Sequence, residues 1–360
     1  MNGVRLLRKS ILGIICLSAS QLFAQYGGSY TYAYLNMSPS ARMSALSGFN
    51  ITNYDDDINS AYFNPALLNA EMDGALSFSQ AFYGAGITQG YAAFGKYADK
   101  WHLAMGGGIA YHAYGTFEFT DVNGDRIGSF SAGEYAAQWG VAYSSGKLQY
   151  GAQAKLLYAK LESYSSFGMA MDLGAAFVDT AKDVSIGLTL RNIGSQFKPY
   201  TEGNYDDLPF SVDLGISKRL EHLPLRLTFT LHDLQTFDIR YDDPNRQQAV
   251  NIFGVDTNST EKNYTVDKIA QHLNVSGEFY FGKNVNVQIG YDHMTRHELA
   301  IDTRRGMSGF SLGFGMHIKQ FDVQYGHGFY TLAGGVNQIT IASNLSAWRK
   351  KGMVPSVPKF

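Results

Sequence analysis

From about residue 75 onward the chain repeats one constraint: large apolar side chains alternate with small or polar ones, in runs too long for an ordinary sheet. A period of two puts successive side chains on opposite faces of an extended strand. In 101–112, Trp101, Leu103, Met105, Ile109 and Tyr111 share one face, and His102, Ala104, Gly106, Gly108, Ala110 and His112 share the other. A sheet with one face in water would carry charge on the second face. Here that face is small and nearly uncharged, while the first is aromatic.

The pattern recurs. Tyr135, Ala137, Trp139, Val141 and Tyr143 oppose Ala136, Gln138, Gly140 and Ala142. Leu148, Tyr150, Ala152, Ala154, Leu156 and Tyr158 oppose Gln149, Gly151, Gln153 and Lys155, with Leu157 out of step. Phe167, Met169, Met171, Leu173 and Phe177 oppose Gly168, Ala170, Asp172 and Gly174; Val184, Ile186, Leu188 and Leu190 oppose Ser185, Gly187, Thr189 and Arg191. The apolar faces carry no charge, and Lys155, Asp172 and Arg191 all lie on the opposite ones. A charge near the middle of a barrel's lipid face costs about 2–4 kcal/mol, so this segregation is what a bilayer enforces. Aromatics gather at strand ends, where interfacial girdles sit.

About fourteen strands are predicted: 75–84, 88–98, 101–112, 133–144, 148–159, 166–178, 183–194, 209–219, 224–234, 272–282, 285–293, 308–319, 321–329 and 336–346. A strand of about 11 residues, tilted by about 40°, covers a hydrocarbon layer of some 25 Å. Links after even-numbered strands are short ("ADK", "SSGK", "DTAKD", "EHLP", "GKN", Gln320). Those after the third, seventh, ninth and eleventh are long, 235–271 most of all. Short turns on one side and long loops on the other fit an outer-membrane barrel with its short side periplasmic. The expected fold class is therefore all-β: an antiparallel transmembrane β-barrel of about 14 strands.

Composition agrees. Charged residues are 17% and aromatic residues 14%, and no apolar run of membrane-helix length follows residue 25. A net charge of -2 gives no basic excess, so no nucleic-acid partner is expected. Arg5, Arg8 and Lys9, then "ILGIICL", then a cut after Ala24 read as an export signal. Cys16 falls inside it behind a large Ile15, which disfavours a lipoprotein, and the mature chain would hold no cysteine. The expected division is a signal peptide at 1–24, a mostly non-strand N-terminal plug at 25–73, a barrel at 74–347 and a periplasmic tail at 348–360.

Chemistry-bearing motifs are thin. His293 and His297 have metal-like spacing but fall in a predicted loop, 294–307, without the H-E-x-x-H order. "DVNGDRIG" (121–128) offers oxygen donors but no bidentate Glu, and reads better as an Asn-Gly hairpin turn. Asp55, Asp56 and Asp57 read as carboxylates at a turn, and His102, His112, His317 and His327 as lumen-facing. Ser144 to Lys147 matches S-x-x-K, but on a tight turn between strands rather than a helix. No catalytic residue, cofactor site or metal site is assigned, and the chain is expected not to be an enzyme.

The stretch 26–69 carries Gly27-Gly28, Tyr34-Leu35, Ser40-Ala41-Arg42, Ala45, Gly48, the acidic run Asp55–Asp57 and Asn64-Pro65-Ala66. It resembles the N-terminal region of the PorV/PorQ family of the Bacteroidetes type IX secretion system. "SPSAR" and "NPALLN" place it nearest the PorQ branch, and Asn-Pro-Ala is shared with fatty-acid-transporter-like (FadL-like) barrels. The likeness runs more weakly through "LRNIG" (190–194) to the end; Ser47 departs from it, where the family tends to have Gly. It implies a plugged outer-membrane barrel, in contact with outer-membrane lipid and with attachment-complex proteins (PorU, PorV and a PorZ-like protein). The motif residues Ser40, Ala41, Arg42, Gly48, Asn64, Pro65 and Ala66 would be structural: Asn64 caps a plug helix, Pro65 sits in its first turn, and Arg42 pairs with a lumen carboxylate such as Asp172 or Asp213. The expected function is docking of the PorZ-like partner during cargo anchoring, with loop 235–271 as the contact. The alternative is an uptake channel for hydrophobic small molecules. The small, polar inward faces suit a filled lumen better than a greasy one.

Overall fold

The computed structural model describes residues 30–239, 265–299, 306–331 and 334–349. The expected signal segment, Gly27-Gly28, most of the expected tail and the middle of loop 235–271 lie outside these residues.

The fourteen strands are β1 (Ala75–Phe82), β2 (Thr88–Ala98), β3 (Leu103–Thr120), β4 (Arg126–Ser145), β5 (Leu148–Leu161), β6 (Tyr164–Asp179), β7 (Val184–Lys198), β8 (Ser211–Arg219), β9 (Leu225–Leu231), β10 (Leu273–Phe281), β11 (Val285–Asp292), β12 (Phe310–Ile318), β13 (Phe321–Thr331) and β14 (Gly334–Asn344). Each pairs antiparallel with its neighbours in sequence, and β1 closes on β14 from Ala75↔Asn344 to Phe82↔Asn337. Closure leaves no sheet edge across the wall, which a bilayer requires because it offers no hydrogen bonds.

Along β3 the two faces separate into an inner and an outer side. Ala104, Ala110 and His112 are buried inside, while Ile109 is 63% exposed on the outside. Trp139, Leu156, Leu188, Ile216, Phe314 and Ile341, on six different strands, are likewise exposed outward. An exposed apolar belt encircling the molecule has no stable state in water and matches hydrocarbon. This is a membrane-embedded barrel. Leu157, out of step in the sequence, is fully buried in the lumen among plug side chains.

Two segments depart from expectation. Residues 113–120 and 126–132, expected as loop, extend β3 and β4 into a hairpin that overshoots their neighbours, since β2 pairs no further than Ala113 and β5 no further than Ala132. Its tip turns at Asp121, whose carboxylate accepts from the Asn123 and Asp125 amides, with Gly124 at φ 87. Part of 294–307 is not loop but helix, His293–Leu299, capped by the Asp292 carboxylate accepting from Thr295 N.

Candidate functional site

The lumen is occupied by the chain's own residues 31–72, most of them buried. They form a chain of short helical pieces because their caps repeatedly interrupt them. Ser40 caps helix α1 (Ala41–Ala45), its Oγ accepting from Met43 N at 3.3 Å. Ser47 (φ 68) and Gly48 (φ 82) end it in left-handed backbone, and Gly48 N donates to Met43 O at 2.8 Å. Asn64 caps a 3-10 turn at Pro65–Leu67: its Oδ1 accepts from Ala66 N at 3.0 Å, its Nδ2 donates to Ile51 O at 2.8 Å, and Pro65 fills the first position, where no N–H is needed.

The wall is shaped to this plug. A Cβ on Gly326 would lie 2.2 Å from Ala41 O, on Gly313 2.4 Å from Ala45 Cβ, and on Gly187 2.4 Å from Ile51 O. On Gly174 it would lie 2.2 Å from Asn64 Oδ1, on Gly151 2.3 Å from Pro65 C, and on Gly95 2.5 Å from Met72 O. The small inward residues read from the alternation are therefore the space the plug backbone occupies. Polar wall groups clamp α1: Thr340 Oγ1 accepts from Ala41 N at 2.8 Å, and Ser311 Oγ donates to Ala45 O at 2.8 Å.

Two charge clusters lock plug and wall together. Towards the short-turn end, Arg42 reaches Glu278 of β10 (2.8 Å), Asp55 (2.7 Å) and Asp57 (3.4 Å), and Arg226 of β9 reaches Asp55 at 3.0 Å. Burial works against an Asp55 carboxylate, yet Arg42 and Arg226 together hold its pKa well below the usual range. Arg42 thus meets a lumen carboxylate, but Glu278 rather than Asp172 or Asp213, the examples expected from sequence. Those two are taken: Asp172 by Lys155 at 2.6 Å and Asp213 by Arg191 at 2.7 Å.

This second cluster is built by "LRNIG". A bulge at Asn192 (φ 56) turns both Arg191 and Asn192 inward opposite Asp172, whose Oδ1 accepts from Asn192 N at 2.8 Å. The Arg191 guanidinium donates to plug Asn36 at 3.1 Å and stacks on plug Phe49 and Phe63, 4.5 and 5.0 Å from their centroids. Alternation alone could not have found this, because a bulge breaks the period.

Of the four histidines expected to face the lumen, His112 is buried there and His317 keeps the inward face of β12 at its rim. His102 sits exposed in the β2–β3 turn at φ 50, His317 pairs with Asp322 at 2.7 Å on the short-turn rim, and His327 lies on the outward face beside Phe329. His293 and His297 do share a helix, but no group of three metal-ligating side chains forms among the described residues. Between α1 and β11–β13 a cavity of about 30 Å³, lined by Ser44, Ser47, Thr295, Phe329 and Tyr330 among others, has room for a water molecule.

No family model matches the chain, and no curated protein matches it. Among solved structures, it is similar to the deltaS2 mutant of the TodX monoaromatic hydrocarbon channel at 12% identity, over 84% of this chain and 97% of that one, with a TM-score of 0.49. It is similar to a Pseudomonas aeruginosa FadL homologue at 9% identity, over 85% and 98%, also with a TM-score of 0.49. A Rhodopseudomonas blastica porin mutant stands further away, at 10% identity over 75% and 98%, with a TM-score of 0.31.

Proposed function

We propose that this chain is an outer-membrane anchor of the type IX secretion kind, a plugged barrel that holds a PorZ-like attachment-complex partner at the cell surface. The observation that supports this reading is the filled lumen. Opening a passage would separate Arg42 from Glu278, both buried, and would pull the buried Arg191 guanidinium from Asn36 and Phe49. Breaking one buried ion pair by losing a partner costs about 3–5 kcal/mol. A barrel braced in this way suits a fixed platform, and the overshooting β3–β4 hairpin supplies rigid surface on the long-loop side. The export signal and the N-terminal likeness to the PorQ branch support the same cellular setting.

The second reading is uptake of small hydrophobic molecules through the barrel. It draws on the cavity over α1, which lies between the plug and β11–β13, and on the named activity of the TodX channel. It requires the plug to shift.

One experiment separates the two. Full-length protein lacking residues 240–264 is expressed in its host, and detergent-solubilised outer membranes are purified through the barrel. Loss of co-purifying partner with the barrel still folded is the expected result. Full partner retention by both this variant and one trimmed at 116–130, together with lost uptake of a radiolabelled aromatic hydrocarbon, overturns docking in favour of transport.

A further inference from the structure

At the long-loop end of the lumen, the wall and plug surround a carboxylate that has no counterion among the described residues. Glu134 of β4 and His112 of β3 are direct cross-strand partners on the inward face. Glu134 is 8% exposed; its Oε2 accepts from the Tyr114 hydroxyl at 2.6 Å, its one hydrogen bond among the described residues. The other buried wall carboxylates, Asp172, Asp179, Asp213 and Glu278, each hold a cation within 2.8 Å. A carboxylate withdrawn from water ordinarily needs such a partner.

What surrounds Glu134 instead is aromatic. Tyr32 and Tyr34 of the plug meet edge to face at 6.5 Å, and Tyr32 is anchored by Ser166 at 2.7 Å. The His112 ring lies 4.6 Å from that of Tyr114. Tyr200, from the link between β7 and β8, completes the group: burial, and after it the charge of Glu134, pushes its phenol up to about 12. Burial is also the larger cause at Tyr32 and Tyr34, and the Glu134 charge adds to it. The Tyr34 hydroxyl and His112 Nδ1 are buried without a hydrogen-bond partner among the described residues. Tyr114 and Tyr200 are only half-buried, so the group opens outward, past exposed Asp206 and Asp207.

We propose that this is a binding site for an organic ammonium group entering from the long-loop side, with Glu134 supplying the charge, half-buried Tyr114 and Tyr200 the accessible π faces, and buried Tyr32 and Tyr34 the floor. Aromatic rings around an anion favour a weakly hydrated organic cation. A hard metal ion wants about six or more oxygen ligands, and one carboxylate among phenols does not supply them. The proposal stands whether the barrel docks a partner or transports a solute.

The test uses the full mature barrel in a non-ionic maltoside detergent, with choline as probe and its uncharged isostere 3,3-dimethylbutan-1-ol as control, read by tyrosine fluorescence and ligand NMR. Saturable choline binding without isostere binding is expected. Glu134→Gln should weaken it by roughly tenfold or more, and Tyr200→Leu, in a link outside the wall, should weaken it by a smaller factor. Both variants are checked first for the wild-type thermal transition; should Glu134→Gln not fold, Tyr200→Leu and the isostere carry the test. Equal binding of choline and isostere, unchanged binding in the folded variants, or no binding by wild type overturns the proposal.

Discussion

Arg42 and Glu278, 236 residues apart in sequence, meet at 2.8 Å inside the barrel, and through them the plug is tied to strand β10. Arg226 stands behind the pair, 3.6 Å from the same carboxylate. Replacing Arg42 by Met leaves Glu278 buried with only this more distant cation. The expected loss is about 3 kcal/mol, the low end for a broken buried pair, seen as a lower thermal transition and faster proteolysis within 30–72. Adding Glu278→Gln should recover part of that loss, since it removes the stranded charge. A double mutant as unstable as the sum of its parts would rule out the coupling.

Gly151 tests whether plug and wall are fitted to each other. A methyl there would meet Pro65 C at 2.3 Å, whereas one on lipid-facing Gly277 meets nothing nearer than 3.5 Å. Gly151→Ala should destabilise by about 1–3 kcal/mol, as overpacking does, and Gly277→Ala should change the melting temperature little. Equal melting temperatures for the two variants would mean that the plug does not rest on β5.

Ser47 carries a left-handed backbone at φ 68 and a buried hydroxyl without a partner among the described residues. Both burdens vanish in Ser47→Gly, while the Ser47 N–H can still donate to Ser311 Oγ, now at 3.0 Å. A gain of about 1 kcal/mol is expected in chemical denaturation. A loss would show that the side chain itself matters.

Asp56 gives the plug a pH dependence. Although the Asp56 side chain is exposed, desolvation by the surrounding plug and wall, and then the charges of Asp55, Asp322 and Asp57, push its carboxyl up to about 6. The folded state therefore keeps a proton that the unfolded chain has released, so stability falls as pH rises from about 4 through about 6 and levels off above. Thermal unfolding at a series of pH values should show this slope, and Asp56→Asn should flatten it.

Embedding of the belt is tested at Leu188, exposed outward on β7. Leu188→Arg should cost about 2–4 kcal/mol in lipid vesicles, against almost nothing for Val122→Arg at the hairpin tip. Similar small effects at both sites would remove the bilayer from the outward face.

How far the sequence reached depends on the range of each interaction. Strand number, the direction each strand faces and the side on which turns are short are all local: period two is written in adjacent residues, and a charge on the Leu188 face would be costly whatever its neighbours. Leu157 showed the limit early, since a residue out of step on its own strand is in place once the plug lies against it. The overshoot of β3 and β4 was hidden because a hairpin free of lipid no longer needs an apolar face. Which lumen charges meet was decided by folding alone. Arg42 could have reached any inward carboxylate, and only the path of residues 31–72 around the lumen, together with the bulge that turns Arg191 and Asn192 inward, assigns it to Glu278 and leaves Asp172 and Asp213 to Lys155 and Arg191. Alternation determines which side of the wall a residue occupies, and closure in three dimensions determines what it touches there.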